Sequence, residues 1–150
     1  MSTDSSSMQP PRLLLIDDSP EQLRLLIEAL RRKSYQISVA MDGLQGYARA
    51  VSIIPDLIIL DVHMPRMDGF ALCRRLKANE VTAHIPILYL SSDTQVDKRI
   101  AGLTCGGVDY ILKPYEPEEV VARVEVHLAL AGKAVAQQPQ ATSTSTGPMD

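Results

Sequence analysis

Residues 13–30 read LLLIDDSPEQLRLLIEAL, and this stretch decides the fold. Leu13, Leu14, Leu15 and Ile16 form a continuous apolar run that stops at Asp17. Side chains alternate faces along a strand, so a run that is apolar at every position belongs to a strand buried on both sides. Behind it, Ser19 suits a helix N-cap, Pro20 the first helical position and Gln22 the reciprocal capping partner. Leu23, Leu26, Ile27 and Leu30 then recur at i, i+3, i+4 and i+7, which is one face of a helix. The unit is a buried strand and an amphipathic helix, with two acids at the bend.

The same alternation continues along the chain. A weaker strand, Gln36 to Met41, precedes a helix carrying Leu44, Tyr47, Ala48 and Val51 at helical spacing. Leu57 to Leu60 is a second fully apolar run, stopping at Asp61, and a helix from about Gly69 carries Leu72, Cys73 and Leu76. Ile85 to Leu90 ends at Ser91, with Pro86 tolerable only near a strand's start. Val96, Ile100 and Leu103 mark a fourth helix, with Gly106-Gly107 as its stop signal. Val108 to Leu112 is a fifth strand stopping at Lys113, and a last helix from Pro117 carries Val121, Val124 and Leu128. Five strand–helix units with both-face-apolar strands predict an α/β fold, a doubly wound parallel sheet with helices on both sides.

The 150 residues amount to one domain, and a composition of 45% hydrophobic and 22% charged suits a globule with a core. The net charge of −3 argues against direct nucleic-acid binding through overall charge. No apolar run approaches the ~20 residues of a membrane helix. Residues 1–11 are polar and Ser-rich, with no signal-peptide pattern, and residues 133–150 are a Gln/Pro/Thr/Ser segment without Leu, Ile or Phe. Both are expected to be disordered tail or linker, leaving a folded unit over 12–132. Cys73 and Cys105 lack metal-type spacing and read as small buried hydrophobes in a reduced, cytoplasmic compartment. Arg31, Arg32 and Lys33 form a basic helix end that suits the helix dipole.

Parallel sheets place ligands outside the carboxyl ends of their strands. There the chain carries Asp17 and Asp18, Asp61, Ser91 and Lys113, after the first, third, fourth and fifth strands. If the first and third strands are neighbours, their ends lie roughly 5 Å apart. Three carboxylates so placed repel one another, and a hard divalent cation such as Mg²⁺ relieves the conflict. Lys113 and the Ser91 hydroxyl would bind the remaining oxygens of a phosphoryl group, with the Asp61 carboxylate as the natural nucleophile. Taken singly, each residue has a plainer reading. Asp17-Asp18 would be a turn before a helix, Asp61 a solvated loop acid, and Lys113 a strand-end marker. Ser19 and Pro20 already supply the cap, however, which leaves both acids unexplained without a ligand.

Four stretches, each at a strand end, carry a resemblance: LLLIDDSP at 13–20, PDLIILDVHMPRMDG at 55–69, IPILYLSS at 85–92 and GGVDYILKP at 106–114. Over 12–132 the chain resembles the receiver domain of two-component response regulators, the CheY-like family. The resemblance implies a five-stranded sheet of order 2-1-3-4-5 with five helices. It makes Asp61 the phosphoacceptor and Asp17, Asp18, Asp61 and the His63 backbone carbonyl the ligands of Mg²⁺. Ser91 and Tyr110 take the switch positions, and Lys113 stands before a cis bond to Pro114. Ser91 keeps a hydroxyl where the family more often has Thr, Ser92 adds bulk beside it, and His63 and Asp93 fall where the family tunes phosphoryl lifetime.

The implied partner is a sensor histidine kinase or a histidine phosphotransfer protein. The implied output is a changed surface on the fourth helix, fifth strand and fifth helix, which commonly mediates homodimerisation or releases an output domain. Val96, Ile100, Val120 and Val124 are among the apolar residues of those two helices, and some of them must be core. The segment VVARVEVHLALAG at 120–132 resembles receiver exits leading to a second module, which favours a C-terminal output domain outside these 150 residues over a stand-alone receiver. The domain would catalyse only its own phosphoryl transfer and dephosphorylation and would not be a turnover enzyme. An aspartate-nucleophile phosphatase wants a second acid two residues after the nucleophile, where this chain has His63. A pseudo-receiver would lack Asp61, the acidic pair or Lys113, and a flavin-binding fold would not place acids after the first strand.

Overall fold

In the computed structural model, which describes residues 9–133, five strands and five helices alternate. They are β1 (Arg12–Ile16), α1 (Pro20–Arg31), β2 (Gln36–Ala40), α2 (Gly43–Ile53), β3 (Leu57–Asp61), α3 (Gly69–Ala78), β4 (Ile87–Ser91), α4 (Val96–Thr104), β5 (Asp109–Leu112) and α5 (Pro117–Leu130). The sheet is parallel throughout, in the order β2-β1-β3-β4-β5. The expectations for 1–11 and 133–150 lie, apart from residues 9–11 and 133, outside the described residues. Among the described residues no helix is long and apolar enough to cross a membrane.

The apolar runs divide by parity, as side-chain alternation requires. Leu13, Leu15, Leu57, Ile59, Leu88 and Leu90 face α1 and α5, joining Leu26, Leu30, Val124 and Leu128. Leu14, Ile16, Ile58, Leu60, Ile87 and Tyr89 face the opposite side, with Ala50 of α2 and Leu72, Cys73 and Leu76 of α3. Every residue of β3 and β4 is buried. Pro86 stands just before β4, where no ladder hydrogen bond is lost.

Two helices pack by a different face than apolar periodicity suggests. In α2 the buried residues are Gly43, Gly46 and Ala50, while Leu44 is 58% exposed. In α4 the sole buried residue is Gly102, and Val96, Ile100 and Leu103 all face outward. A Cβ at Gly46 would lie 2.6 Å from Ile16, and one at Gly102 2.9 Å from the rings of Phe70 and Tyr89. These helices approach so closely that only small residues fit beneath them, leaving the larger ones outside. Of the apolar residues singled out on the fourth and fifth helices, Val96 and Ile100 are exposed and Val120 and Val124 are the core ones.

Side chains cap the N-termini of α1, α2 and α3, whereas α4 and α5 have no side-chain cap. Ser19 Oγ accepts from Gln22 N at 3.3 Å, as an N-cap should. The reciprocal half of the capping box is absent: Gln22 Oε1 accepts from the Tyr115 hydroxyl at 2.7 Å, and Ser19 N donates to Asp17 Oδ1. At the end of α4, Gly106 N donates to Leu103 O and Gly107 N to Gly102 O, a Schellman motif with Gly106 at φ +116°.

The last helix is clamped to β5 through charge. Arg123 Nη1 donates to both carboxylate oxygens of Asp109, at 2.7 and 2.9 Å, and His127 Nε2 lies 3.0 Å from Oδ2. Burial pushes the Asp109 carboxyl up, but Arg123, His127 and the Tyr110 N–H outweigh it and hold the group below its usual 3.8. A depressed carboxylate stabilises the fold above its unfolded pKa and loses that contribution as pH falls through the folded value. Arg123 is 41% exposed, so screening keeps the effect modest. Asp109→Asn is expected to cost about 1 kcal/mol at pH 7 in urea unfolding, with the difference from wild type closing as pH falls through the depressed folded value.

Candidate functional site

The site forms where the strands' carboxyl ends meet α-helical N-termini. Register places Ile16 opposite both Ala40 and Leu60, Asp61 opposite Leu90, and Ser91 opposite Leu112. The residues that follow or end these strands therefore come level at one edge of the sheet. Asp17, Asp18 and Asp61 each bring a carboxylate oxygen within 4.8 Å of the others. Asp17 and Asp61 are 2% and 3% exposed, and Asp18 faces solvent.

Lys113 reaches in from β5, with Nζ 3.1 Å from Asp61 Oδ1. The Lys113–Pro114 peptide bond is cis, and Lys113 N donates to Ser91 O at 2.7 Å. Ser91 is fully buried; its Oγ accepts from Asp93 N at 3.0 Å and lies 3.4 Å from His63 Nε2. The Tyr110 ring is buried, and its hydroxyl donates to Asp93 O at 3.4 Å. Ser91 and Tyr110 thus meet on opposite sides of Asp93, a link the sequence does not signal because it runs through the main chain. Asp17, Asp18, Asp61 and Lys113 are brought together directly, Ser91 is joined to them through the Lys113 main chain, and Tyr110 through Asp93. The His63 imidazole is directed at Ser91 rather than at the acids.

Gly69 is a constraint that composition hides. A Cβ there would sit 2.8 Å from the Asp61 carbonyl oxygen and 2.9 Å from Val62 Cα, both main-chain atoms that cannot swing aside. Its N–H donates to Val62 O, pinning the loop that follows β3. Gly69→Ala is expected to destabilise by about 1–3 kcal/mol in denaturant unfolding, through overpacking against that backbone.

The electrostatics are strained in the bare protein. Burial, followed by the charges of Asp61 and Asp18, raises the Asp17 carboxyl to about 6, against the pull of the Ser19 N–H and Lys113. Burial also raises Asp61, against Lys113 and the His63 N–H. Asp17 Oδ1 accepts from Ser19 N at 2.9 Å, whereas Oδ2 is buried without a partner. An orphaned, buried carboxylate oxygen beside two further carboxylates is the donor set of a hard divalent cation. The set fits Mg²⁺.

A doubly wound sheet with this acid–lysine–hydroxyl crevice at its strand ends defines a class of small α/β signalling domain. The chain belongs to the response regulator receiver domain family, whose model matches residues 13–125, and so to the receivers of two-component systems. It is 43% identical over 118 residues to the DNA-binding dual master transcriptional regulator RpaA of Synechocystis, covering 79% of this chain and 49% of that one. It is 42% identical over 113 residues to the response regulator PleD of Caulobacter vibrioides, covering 75% and 25%. The chain thus spans half or less of these curated relatives. Among solved structures it is similar to chemotaxis protein CheY4 of Vibrio cholerae, with a TM-score of 0.74, 28% identity and coverage of 78% and 98%. It is equally similar to the receiver domain of sensor histidine kinase PA1611 of Pseudomonas aeruginosa, with a TM-score of 0.74, 26% identity and coverage of 80% and 98%. That structure has a magnesium ion coordinated in its active-site cleft.

Removing one charge from the crevice separates its cost from its use. Asp17 ionises in the fold above its unfolded value of 3.8, so in metal-free buffer its contribution is best below 3.8 and declines as pH rises toward 6. At pH 7 in EDTA, Asp17→Asn is expected to raise stability by about 1–2 kcal/mol. Calorimetric titration should show the same variant binding Mg²⁺ about tenfold or more weakly.

Proposed function

We propose that this chain is a phosphorylation-activated receiver that accepts a phosphoryl group on Asp61 from a phosphohistidine of a sensor kinase or phosphotransfer protein. The observation that carries the reading is the Asp61 carboxylate, with Lys113 on Oδ1 at 3.1 Å and two further acids within 4.8 Å. A carboxylate oxygen of Asp61 attacks the phosphorus, the new P–O bond forms as the P–N bond breaks, and the imidazole departs with a proton from solvent. Asp17, Asp18, Asp61 and the His63 carbonyl would hold Mg²⁺, which supplies charge neutralisation for the transferring phosphoryl oxygens. Lys113 orients Asp61 and takes a second phosphoryl oxygen as charge builds there.

The added charge then acts on Ser91. Its hydroxyl, bound by the Asp93 N–H, is drawn toward the phosphoryl oxygens, carrying the loop whose carbonyl receives the Tyr110 hydroxyl. A local charge event so biases a two-state element, α4 with its flanking loops. Val96 and Ile100, exposed on α4, with Val108 before β5, suit a surface that pairs with a second copy or an output module. RpaA is described as DNA-binding; for this chain an output of that or another kind would lie in a further module. The domain itself turns over no external substrate and has no direct role with nucleic acid or membrane, in keeping with work in the cytoplasm.

Intact mass after incubation with acetyl phosphate and Mg²⁺ tests the reading. One added phosphoryl group is expected in wild type and none in Asp61→Asn or in EDTA. No adduct, with no stabilisation by Mg²⁺ and beryllofluoride, would leave a pseudo-receiver that works by binding alone.

A further inference from the structure

The two cysteines take no part in the phosphoryl site, and they do not share one environment. Cys73, on α3, is fully buried. Cys105, the C-cap of α4, is partly exposed, so it is not the buried hydrophobe its type suggests. Thirty-two residues apart in sequence, they meet in space: Cys73 Sγ donates to the Cys105 carbonyl oxygen at 3.4 Å. The neighbouring Arg74 places Nη1 3.2 Å from Cys105 Sγ. The Cys73 thiol thus abuts the Cys105 main chain, and the Cys105 sulfur abuts the side chain of the residue that follows Cys73.

We propose that Cys105 and Cys73 form an oxidation site, at which a hydroperoxide such as hydrogen peroxide converts the two thiols into an intramolecular disulfide. The division of labour follows from the surroundings. The partly exposed Cys105 sulfur is the one a solvent oxidant reaches, and the Arg74 guanidinium beside it is a donor for the oxygen that leaves. Burial pushes the Cys73 thiol up, outweighing the Tyr89 hydroxyl and the Lys77 charge, and leaves Cys73 out of reach of solvent oxidants. Cys105 attacks peroxide first, forming the S–O bond of a sulfenic acid as the O–O bond breaks and hydroxide leaves. Cys73 then attacks that sulfur; the S–S bond forms, the S–O bond breaks, and the departing hydroxyl takes the Cys73 proton to leave as water. Two electrons pass from the thiols to the peroxide, which ends as two waters.

The link would fasten the end of α4 to α3. It falls where α4 is held otherwise by Gly102, the sole buried residue of that helix, and where Gly106 at φ +116° gives the chain an adaptable joint. An internal bond of this kind is reversible by thiol reductants, which separates it from damage.

The test uses the reduced protein, freed of reductant and exposed to hydrogen peroxide, then alkylated and read by intact mass and peptide mapping. Wild type is expected to lose two hydrogens while remaining monomeric, to lose both alkylation sites, to yield a peptide pair joined through residues 73 and 105, and to recover both thiols in dithiothreitol. Cys73→Ser should leave a sulfenic acid on Cys105 that dimedone traps, and Cys105→Ser should leave Cys73 unreacted. Arg74→Gln should slow the first step by about 3–10-fold. Both thiols still alkylatable after peroxide, a sulfinic acid on Cys105 of wild type, or dimers joined through Cys105 would each overturn the assignment. The wild-type measurement decides it even where a substitution at buried Cys73 unsettles the fold.

Discussion

Like-charge crowding at the carboxyl ends of β1 and β3 is the constraint on which the rest of the structure depends. Asp17, Asp18 and Asp61 bring carboxylate oxygens within 4.8 Å, two of the three acids nearly shut off from water. Such an arrangement opposes folding unless something outside it holds the chain in place. What holds it is the apolar lattice of β1, β3 and β4, whose buried leucines and isoleucines contribute on the order of 1.5–3 kcal/mol each. Lys113 offsets part of the repulsion from the far side of the sheet. The bare crevice is therefore strained, and a cation bound there would meet charges already in position, with little reorganisation left to make.

The helices around the sheet are secured unequally, and this bears on where change can spread. The α1 and α5 side closes over Leu23, Leu26, Leu30, Val120, Val124 and Leu128, and α5 is further tied to β5 by the Asp109–Arg123 pair. On the other side α4 lays a glycine on Tyr89 and turns its larger apolar residues to solvent. An element with little buried area is one that opens at low free-energy cost. It also lies in the chain between the Ser91–Asp93 loop and Tyr110, so the contacts leaving the acid site bracket the helix least held by packing. The cysteine pair sits at that helix's other end, at its contact with α3.

Much of this was legible in the residues alone, for identifiable reasons. Runs apolar at every position have one stable use in a domain of this length, and LLLI, LIIL and ILYL became β1, β3 and β4. Polar residues that stop such runs must lie at the sheet's rim, so Asp17, Asp61, Ser91 and Lys113 could be placed together before any distance was known. The capping box failed because a side chain three positions into a helix has tertiary rivals; Gln22 bonds Tyr115, ninety-three residues away. The faces of α2 and α4 misled because periodicity registers large apolar side chains, whereas those helices pack by Gly43, Gly46, Ala50 and Gly102.

The sequence by itself determined the alternation of strand and helix, the parallel sheet, and which side chains gather at its carboxyl edge, since these depend on local pattern and on the alternation of strand side chains. Only the tertiary structure decided how the gathered groups are joined. That Ser91 and Tyr110 meet through the main chain of Asp93, that Gly69 lies against the Asp61 carbonyl, and that Cys73 meets Cys105 across thirty-two residues are consequences of close packing between elements distant in the chain. Packing distances of this kind are set by three-dimensional fit, on which periodicity along one dimension carries no information.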